Sequence, residues 1–424
     1  MTLIRYMAMM NLHFDRRDFM RIGSIGAGFT ALGLSDLQAE EVCLLPNDKS
    51  VVWVWLGGGA TQVETFDPKP DAPSEVTAVN GSVMTKGDYL IGGDWTKLAG
   101  VGDKMTVVRS FAHGNASHRT GTHWVMTGHN STDNTPQSPA YYPSYGSMVS
   151  STYGANHPVS GMPSYVRVNR IDFDEGAWLK GNVKPYEAKG EGIKNLQLKT
   201  SSDRFLGKQE LLSGLDRLRE GVDSGADAWS DLRNQSYDML LGKVAEAFDI
   251  KKENPATLSN YGGGVGEQLL LARRLVEAGT KFVTINYGGW DMHGNISKAL
   301  QGRVPPIDKA LAAFINDIHG RGLNKNVLLV VTGEFGRTYK INAGGGRDHW
   351  PRLSPLMFAG GDFDMGRFIG ESTSKAEEPE TDPYNPQHVA ATLMKHFGID
   401  QHTQRVDMNG RPRYFLDVGT PSIL

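Results

Sequence analysis

Lys281-Phe282-Val283-Thr284-Ile285-Asn286-Tyr287 is a nearly continuous apolar run, and Gly289-Trp290-Asp291-Met292-His293-Gly294 follows it at once. A β-type run that closes on glycines and then on metal-type side chains reads as a buried parallel strand presenting ligands beyond its carboxyl end. Upstream, Leu269 to Gly279 has helical periodicity. Downstream, Ile307 to His319 repeats it before a second apolar run, Asn326-Val327-Leu328-Leu329-Val330-Val331-Thr332. Helix and strand alternating at these lengths predict parallel βαβ units with right-handed crossovers. The expected fold class is α/β, and both strands are expected to deliver their ligands at one edge.

Working outward, Ser50 to Leu56 is another apolar run, closed by Gly57-Gly58-Gly59. Lys104 to Arg109, Ser164 to Val168 and Pro355 to Ala359 read as further short strands, and Gln387 to Phe397 as a closing amphipathic helix. Residues 200–265 change character. Leu211, Leu212, Leu215 and Leu218 keep helical spacing, as do Leu241, Val244 and Phe248. This predicts a helical insertion over the sheet, with its charges on a solvated face.

The 424 residues can bury a large core, and large α/β sheets often occupy this length as one domain. A net charge of -3, from 44 basic and 47 acidic side chains, and the lack of a basic stripe argue against a nucleic-acid partner. A lone cysteine, Cys43, excludes an intramolecular disulfide framework. Asp15-Arg16-Arg17-Asp18-Phe19-Met20-Arg21, then a modest apolar stretch from Ile22 to Leu34, is similar to a twin-arginine export signal. The stretch is too short to span a bilayer. Residues 1–39 are therefore expected to be a signal peptide and 40–424 one exported domain, periplasmic or extracellular, with no membrane span in the mature chain.

Three clusters could hold a divalent cation: Asp291 with His293, Glu334 after Val330-Val331-Thr332-Gly333, and Asp348-His349 after Gly344-Gly345-Gly346. A carboxylate at the end of a buried strand is costly unless it meets a cation or a partner such as Arg337. His113, His118, His123 and His129 fall within 17 residues, and at most two of them are expected to face the site. His118 and Ser117 precede a predicted helix from Thr120, whose free N–H groups would suit an anion.

Several of these stretches together resemble the family catalogued as domain of unknown function 1501, in the alkaline phosphatase/sulfatase superfamily. They are the Arg16-Arg17 signal, Trp55-Leu56-Gly57-Gly58-Gly59 with Thr65-Phe66-Asp67-Pro68-Lys69-Pro70, and Met126-Thr127-Gly128-His129. Further on come Leu269 to Gly279, Gly289 to Asn295, Gly333-Glu334-Phe335-Gly336-Arg337-Thr338 and Asp348-His349. The resemblance implies an alkaline-phosphatase-like α/β/α sandwich with a mostly parallel central sheet. It also implies an exported hydrolase of phosphate or sulfate esters, using one or two divalent metals on a small-molecule or polysaccharide anionic ester.

By that likeness Asp291, His293, Glu334, His349 and Asp348 are the metal candidates. Zinc is favoured for this mixed set, and manganese, calcium or magnesium are admitted if more oxygens join. His118 lies about where the superfamily places its nucleophile. Ser117 and Thr120 are the hydroxyl candidates, and Arg337 would meet developing negative charge. Two departures stand out. The first strand ends in Gly57-Gly58-Gly59-Ala60 where the superfamily has an acid, for which Asp67 or Glu64 are substitutes, and the Cys/Ser-x-Pro-x-Arg pattern is missing. The alternative expectation is a non-catalytic envelope protein that keeps the fold and one structural metal.

Overall fold

The computed structural model describes residues 48–135, 139–189 and 244–424. The expected signal peptide, and residues 200–243 of the expected insertion, lie outside the described residues.

Apolar alternation builds the centre. Strand β1 (Ser50–Trp55) is completely buried, as is β8 (Val327–Thr332), and β7 (Phe282–Asn286) is buried except at its last residue. β1 pairs in parallel with both, matching Val51 to Phe282 and Leu328, and Trp55 to Asn286 and Thr332. Small elements in between are β2 (Ser82–Met84), β3 (Leu90–Gly92), β4 (Met105–Val108), β5 (Tyr165–Arg167) and β6 (Tyr186–Glu187). After β8 come β9 (Gly336–Arg337), β10 (His349–Trp350), β11 (Leu356–Gly360) and β12 (Arg367–Ile369). The main sheet has eight strands in the order β12-β4-β11-β8-β1-β7-β5-β6. Only β11 runs against its neighbours, pairing antiparallel with β8 and β4. The sheet is mostly parallel, as expected.

Successive side chains on a strand face opposite ways, so a continuous apolar run serves two cores. Val52, Val54, Val283, Ile285, Leu329 and Val331 join one core cluster. In chain order come the helices α1 (Gln62–Thr65), α2 (Thr96–Ala99), α3 (His118–Thr127), α4 (Tyr145–Tyr153), α5 (Val244–Phe248), α6 (Pro255–Tyr261), α7 (Val265–Glu277) and α8 (Ile296–Gly320), and this cluster is covered chiefly by α7 and α8. Val51, Trp53, Trp55, Phe282, Leu328 and Val330 join the other, with α3, α4 and α9 (Pro386–Phe397). The architecture is an α/β/α sandwich. A slip of one residue in β1 would exchange the two faces, which fixes the register.

Two expectations change in detail. α8 begins at Ile296, well before Ile307, and runs through Pro305 and Pro306. A double proline ordinarily marks a break; here Val304, Ile307 and Leu311 remain fully buried on both sides of it, so packing carries the helix across. Within 244–265 the chain forms α5 and α6, with Val244 and Phe248 both in α5 as their spacing predicts. The charges of this stretch are not all solvated, because Glu253 accepts from Arg273, Arg274 and Arg321.

Candidate metal centre

The parallel order β7-β1-β8 brings three loops to one edge of the sheet, beyond the carboxyl ends of the strands. After β1, the Gly57–Gly59 turn runs between the other two loops. Gly58 has φ +108°, and a Cβ there would lie 2.6 Å from the Asp291 nitrogen. No other residue fits this turn without moving its neighbours. The turn's N–H and carbonyls are used locally: Gly58 N–H donates to Glu334 Oε1 at 2.8 Å, and Gly58 and Gly59 carbonyls accept from Arg337.

β9 and β10 pair antiparallel, setting His349 opposite Arg337 and returning the chain to the site. The 344–347 loop is tied to the β7 loop, with Asn295 N–H donating to the Gly344 carbonyl at 2.9 Å and Arg347 N–H to that of Met292 at 3.0 Å. A Cβ on Gly346 would stand 2.2 Å from the His293 carbonyl carbon, so this approach also requires glycine.

At the centre are three donor atoms. His293 Nε2 lies 3.0 Å from Asp291 Oδ1, His349 Nε2 lies 3.2 Å from the same oxygen, and the two ring nitrogens are 3.1 Å apart. The far side of each ring settles its tautomer. His293 Nδ1 faces Asp348 Oδ1 at 2.7 Å, and His349 Nδ1 faces the Ala116 carbonyl at 2.9 Å. Both acceptors lack protons, so each Nδ1 is the donor, and in the neutral form of either ring Nε2 turns a lone pair inward. Two nitrogen lone pairs and a carboxylate oxygen thus converge on one point. Repulsion there is relieved by a proton or a cation.

His118, the first residue of α3, adds to the cluster. Its Nδ1 is 2.7 Å from Glu334 Oε1 and its Nε2 3.4 Å from Asp291 Oδ2. Ligand atoms of His118, Asp291 and His349 all lie within 4.8 Å of one another. The Glu334 hydrogen bond, outweighing partial burial, raises the His118 pKa. Partial burial acts to raise Asp291, but the hydrogen bond from Arg337 and the charges of Arg337 and His118 hold it at about 2. The His293 contact lowers the Asp348 pKa.

The expected residues therefore separate by position. Asp291, His293 and His349 share the centre, while Asp348 stands behind His293. Glu334 is only 3% exposed; its Oε1 serves Gly58 and His118, and its Oε2 has no hydrogen-bond partner among the described residues. Arg337 is completely buried and reaches the site through Asp291, with its other N–H groups on the carbonyls of Gly58, Gly59 and Arg347. Ser117 turns its hydroxyl to Asn134 Oδ1 at 2.8 Å, and Thr120 donates to Asn115 Oδ1 at 2.5 Å.

Neither substitute acid enters the site. Glu64 Oε1 is 2.8 Å from Arg347 Nη2 and Glu64 Oε2 accepts from Thr61, while Asp67 sits among Lys69, Arg109 and Ser372. Among the four clustered histidines, His118 faces the centre and His113 bonds the Glu334 carbonyl from behind at 2.7 Å. His123 and His129 bond the carbonyls of His129 and Phe415.

Residues 48–421 match the family described as "Protein of unknown function (DUF1501)". The chain belongs to that family. No curated protein matches it significantly. Among solved structures it is similar to Ps i-CgsB in complex with k-i-k-neocarrahexaose, at 10% identity and TM-score 0.41, covering 86% of this chain and 74% of that one. The PsFucS1 sulfatase from Pseudoalteromonas sp. is 11% identical, with TM-score 0.38 and coverage of 89% and 74%. TAB5 alkaline phosphatase, as a His-to-Asp mutant with magnesium bound, is 10% identical, with TM-score 0.35 and coverage of 83% and 98%.

Sequence reading missed the Glu64–Arg347 pair. Both side chains are almost fully buried, and together they anchor the loop that carries Asp348 and His349. The partners are 283 positions apart, and no local pattern connects them. It also missed Asn342, whose side chain donates to the His293 carbonyl and to Asp348 Oδ1.

Proposed function

We propose that this protein is an exported, metal-dependent hydrolase of phosphate or sulfate esters. The observation that carries the reading is the triangle of His293 Nε2, His349 Nε2 and Asp291 Oδ1, with edges of 3.0, 3.1 and 3.2 Å. Donors at ordinary zinc distances around a tetrahedral ion stand about 3.3 Å apart, so the donor set fits one divalent cation with little movement. Both imidazoles have an oxygen acceptor on the outer nitrogen, the usual support for histidine ligands. Two nitrogens and one oxygen favour zinc, and three protein ligands with a fourth position open are the pattern of catalytic zinc.

When bound, the cation supplies Lewis acidity toward a phosphoryl or sulfuryl oxygen. The chain's own residues do the rest. Glu334 holds His118 by Nδ1 and directs Nε2 toward the cluster, where the ring can give a proton to the departing ester oxygen or act as nucleophile. Arg337 fixes Asp291. Free N–H groups at the start of α3 favour an anionic group in front of His118. Export by the twin-arginine route rests on the Arg16-Arg17 segment and fits a metal loaded before transport.

A second reading, a non-catalytic metal-binding envelope protein, is favoured by two observations. The hydroxyls of Ser117 and Thr120 are turned to asparagine side chains, and Glu64 and Asp67 are held by basic partners. Elemental analysis followed by a panel of aryl phosphates and aryl sulfates separates the readings. Hydrolysis with bound metal, both lost in His293→Ala, supports the hydrolase. Bound metal without turnover on any ester supports the second reading, and turnover that persists without metal defeats both.

A further inference from the structure

A groove of about 720 Å³ lies between α2, α6 and α8, and none of the metal-centre residues line it. Such a volume is in the range of small-molecule sites. One wall is a single face of α8, with Lys309, Ala312, Ala313, Asn316, Asp317 and Gly320 at helical spacing. Val101, Tyr261 and Ala312 give it an apolar floor and belong to the core beneath.

The charges around this groove are unbalanced. Its single carboxylate, Asp317, is already satisfied by Arg273 at 3.1 Å, Arg321 at 2.8 Å and the Tyr261 hydroxyl at 2.9 Å. Two lysines, Lys97 and Lys309, line it, and neither ammonium has an ion-pair partner among the described residues. The nearby Asp308 carboxylate is turned to the backbone N–H groups of Lys97 and Leu98, and its charge acts on Lys97 without forming an ion pair. Asn316 Oδ1 accepts from Lys104 at 2.8 Å, which leaves the Asn316 amide N–H groups to donate. The groove therefore offers cations, donors and an apolar floor, while its one anion is spoken for.

We propose that this groove binds a small organic anion, an oxyanion such as a sulfate, sulfonate or phosphate carried on an apolar body, at a site separate from the metal centre. Lys97 and Lys309 hold the charge, Asn316 adds hydrogen bonds, and Val101, Tyr261 and Ala312 take the body. The chemistry is independent of the hydrolase reading, since no group here takes part in it.

The test is a fluorescence titration of the full chain with 1-anilinonaphthalene-8-sulfonate. Saturable binding is expected, weakened about three- to thirtyfold in Lys97→Ala/Lys309→Ala by loss of two exposed charge contacts. Lys97→Arg/Lys309→Arg should keep it, and inorganic sulfate should displace the probe more than chloride at equal ionic strength. His293→Ala should bind the probe as the native chain does. Equal affinity in the native chain and the alanine variant, with the thermal midpoint unchanged, overturns the proposal, as does failure of sulfate to compete. If the alanine variant does not fold, Lys97→Gln/Lys309→Gln and the competition measurement decide the matter.

Discussion

Two dense clusters of charged and titratable side chains sit on opposite parts of this fold, and they are organised in contrary ways. On the α7/α8 layer, Arg273 bonds Glu253, Glu277 and Asp317, and Arg321 meets the same three acids at 3.5, 3.2 and 2.8 Å. Every acid there faces a cation. At the carboxyl edge of the sheet, two histidine ring nitrogens and a carboxylate oxygen crowd together, and a buried Glu334 oxygen has no hydrogen-bond partner among the described residues. The first cluster is balanced in charge as it stands, although Arg273 Nε, 3.1 Å from Asp317 Oδ2, makes no hydrogen bond among the described residues. The second, on the reading proposed above, takes a cation. Residue type does not separate a structural ion network from a ligand site; the match between donors and acceptors does.

This contrast is breakable. The largest effect is expected from His293→Ala, which removes one vertex of the triangle: bound metal and ester hydrolysis should both fall to background while the thermal midpoint of the metal-free chain barely moves. Arg273→Met should do the reverse. It removes the buried cation shared by three partly buried acids, leaving them to the more exposed Arg321 and Arg274, and should cost about 3 kcal/mol of stability in denaturant unfolding, with metal content unchanged; a metal-depleted but fully stable variant would erase the distinction between the clusters. Asp348→Ala tests the outer support of the site. It removes the acceptor from His293 Nδ1 and should weaken metal affinity about 10–100-fold in a chelator competition. No change in affinity would mean that the Asp348 contact does not orient the ring.

An effect seen only on acidification concerns histidines outside both clusters. Burial pushes His123 and His396 down to about 4, and each is neutral in the fold, His123 with its Nε2 accepting from the Tyr141 N–H. In the unfolded chain both titrate at the ordinary value of about 6.5. Between those values the unfolded state binds more protons. Their contribution to stability is therefore complete above about pH 6.5 and is lost as pH falls toward about 4. Urea midpoints measured across this window should decline on acidification, and less steeply in His396→Gln. A flat profile in the native chain would contradict the burial argument.

The sheet was largely legible in the sequence because β1, β7 and β8 are apolar on both faces, and continuous runs closed by glycine leave few other readings. Asp291, His293 and Glu334 were legible for the same reason: they follow those runs directly. His349 needed the β9–β10 pairing to return it to the site, which sequence suggests only by likeness to a family. Side-chain direction was not legible. Ser117 and His118 are adjacent, yet one turns to Asn134 and the other to Glu334, and nothing local distinguishes them. The Glu253–Arg273 network was missed because its members come from separate helices and loops, and a charged helical stretch ordinarily faces water. The start of α8 was missed because Pro305-Pro306 reads as an interruption until the buried residues flanking it are seen.

The most direct test of the account is the metal content of the purified native chain beside that of His293→Ala, by elemental analysis with anomalous scattering to locate the ion. A divalent ion, zinc foremost, is expected between His293, His349 and Asp291 in the native chain and is expected to be lost in the variant. A native chain that folds, takes up no divalent ion when one is supplied, and still hydrolyses aryl phosphates or sulfates would contradict it.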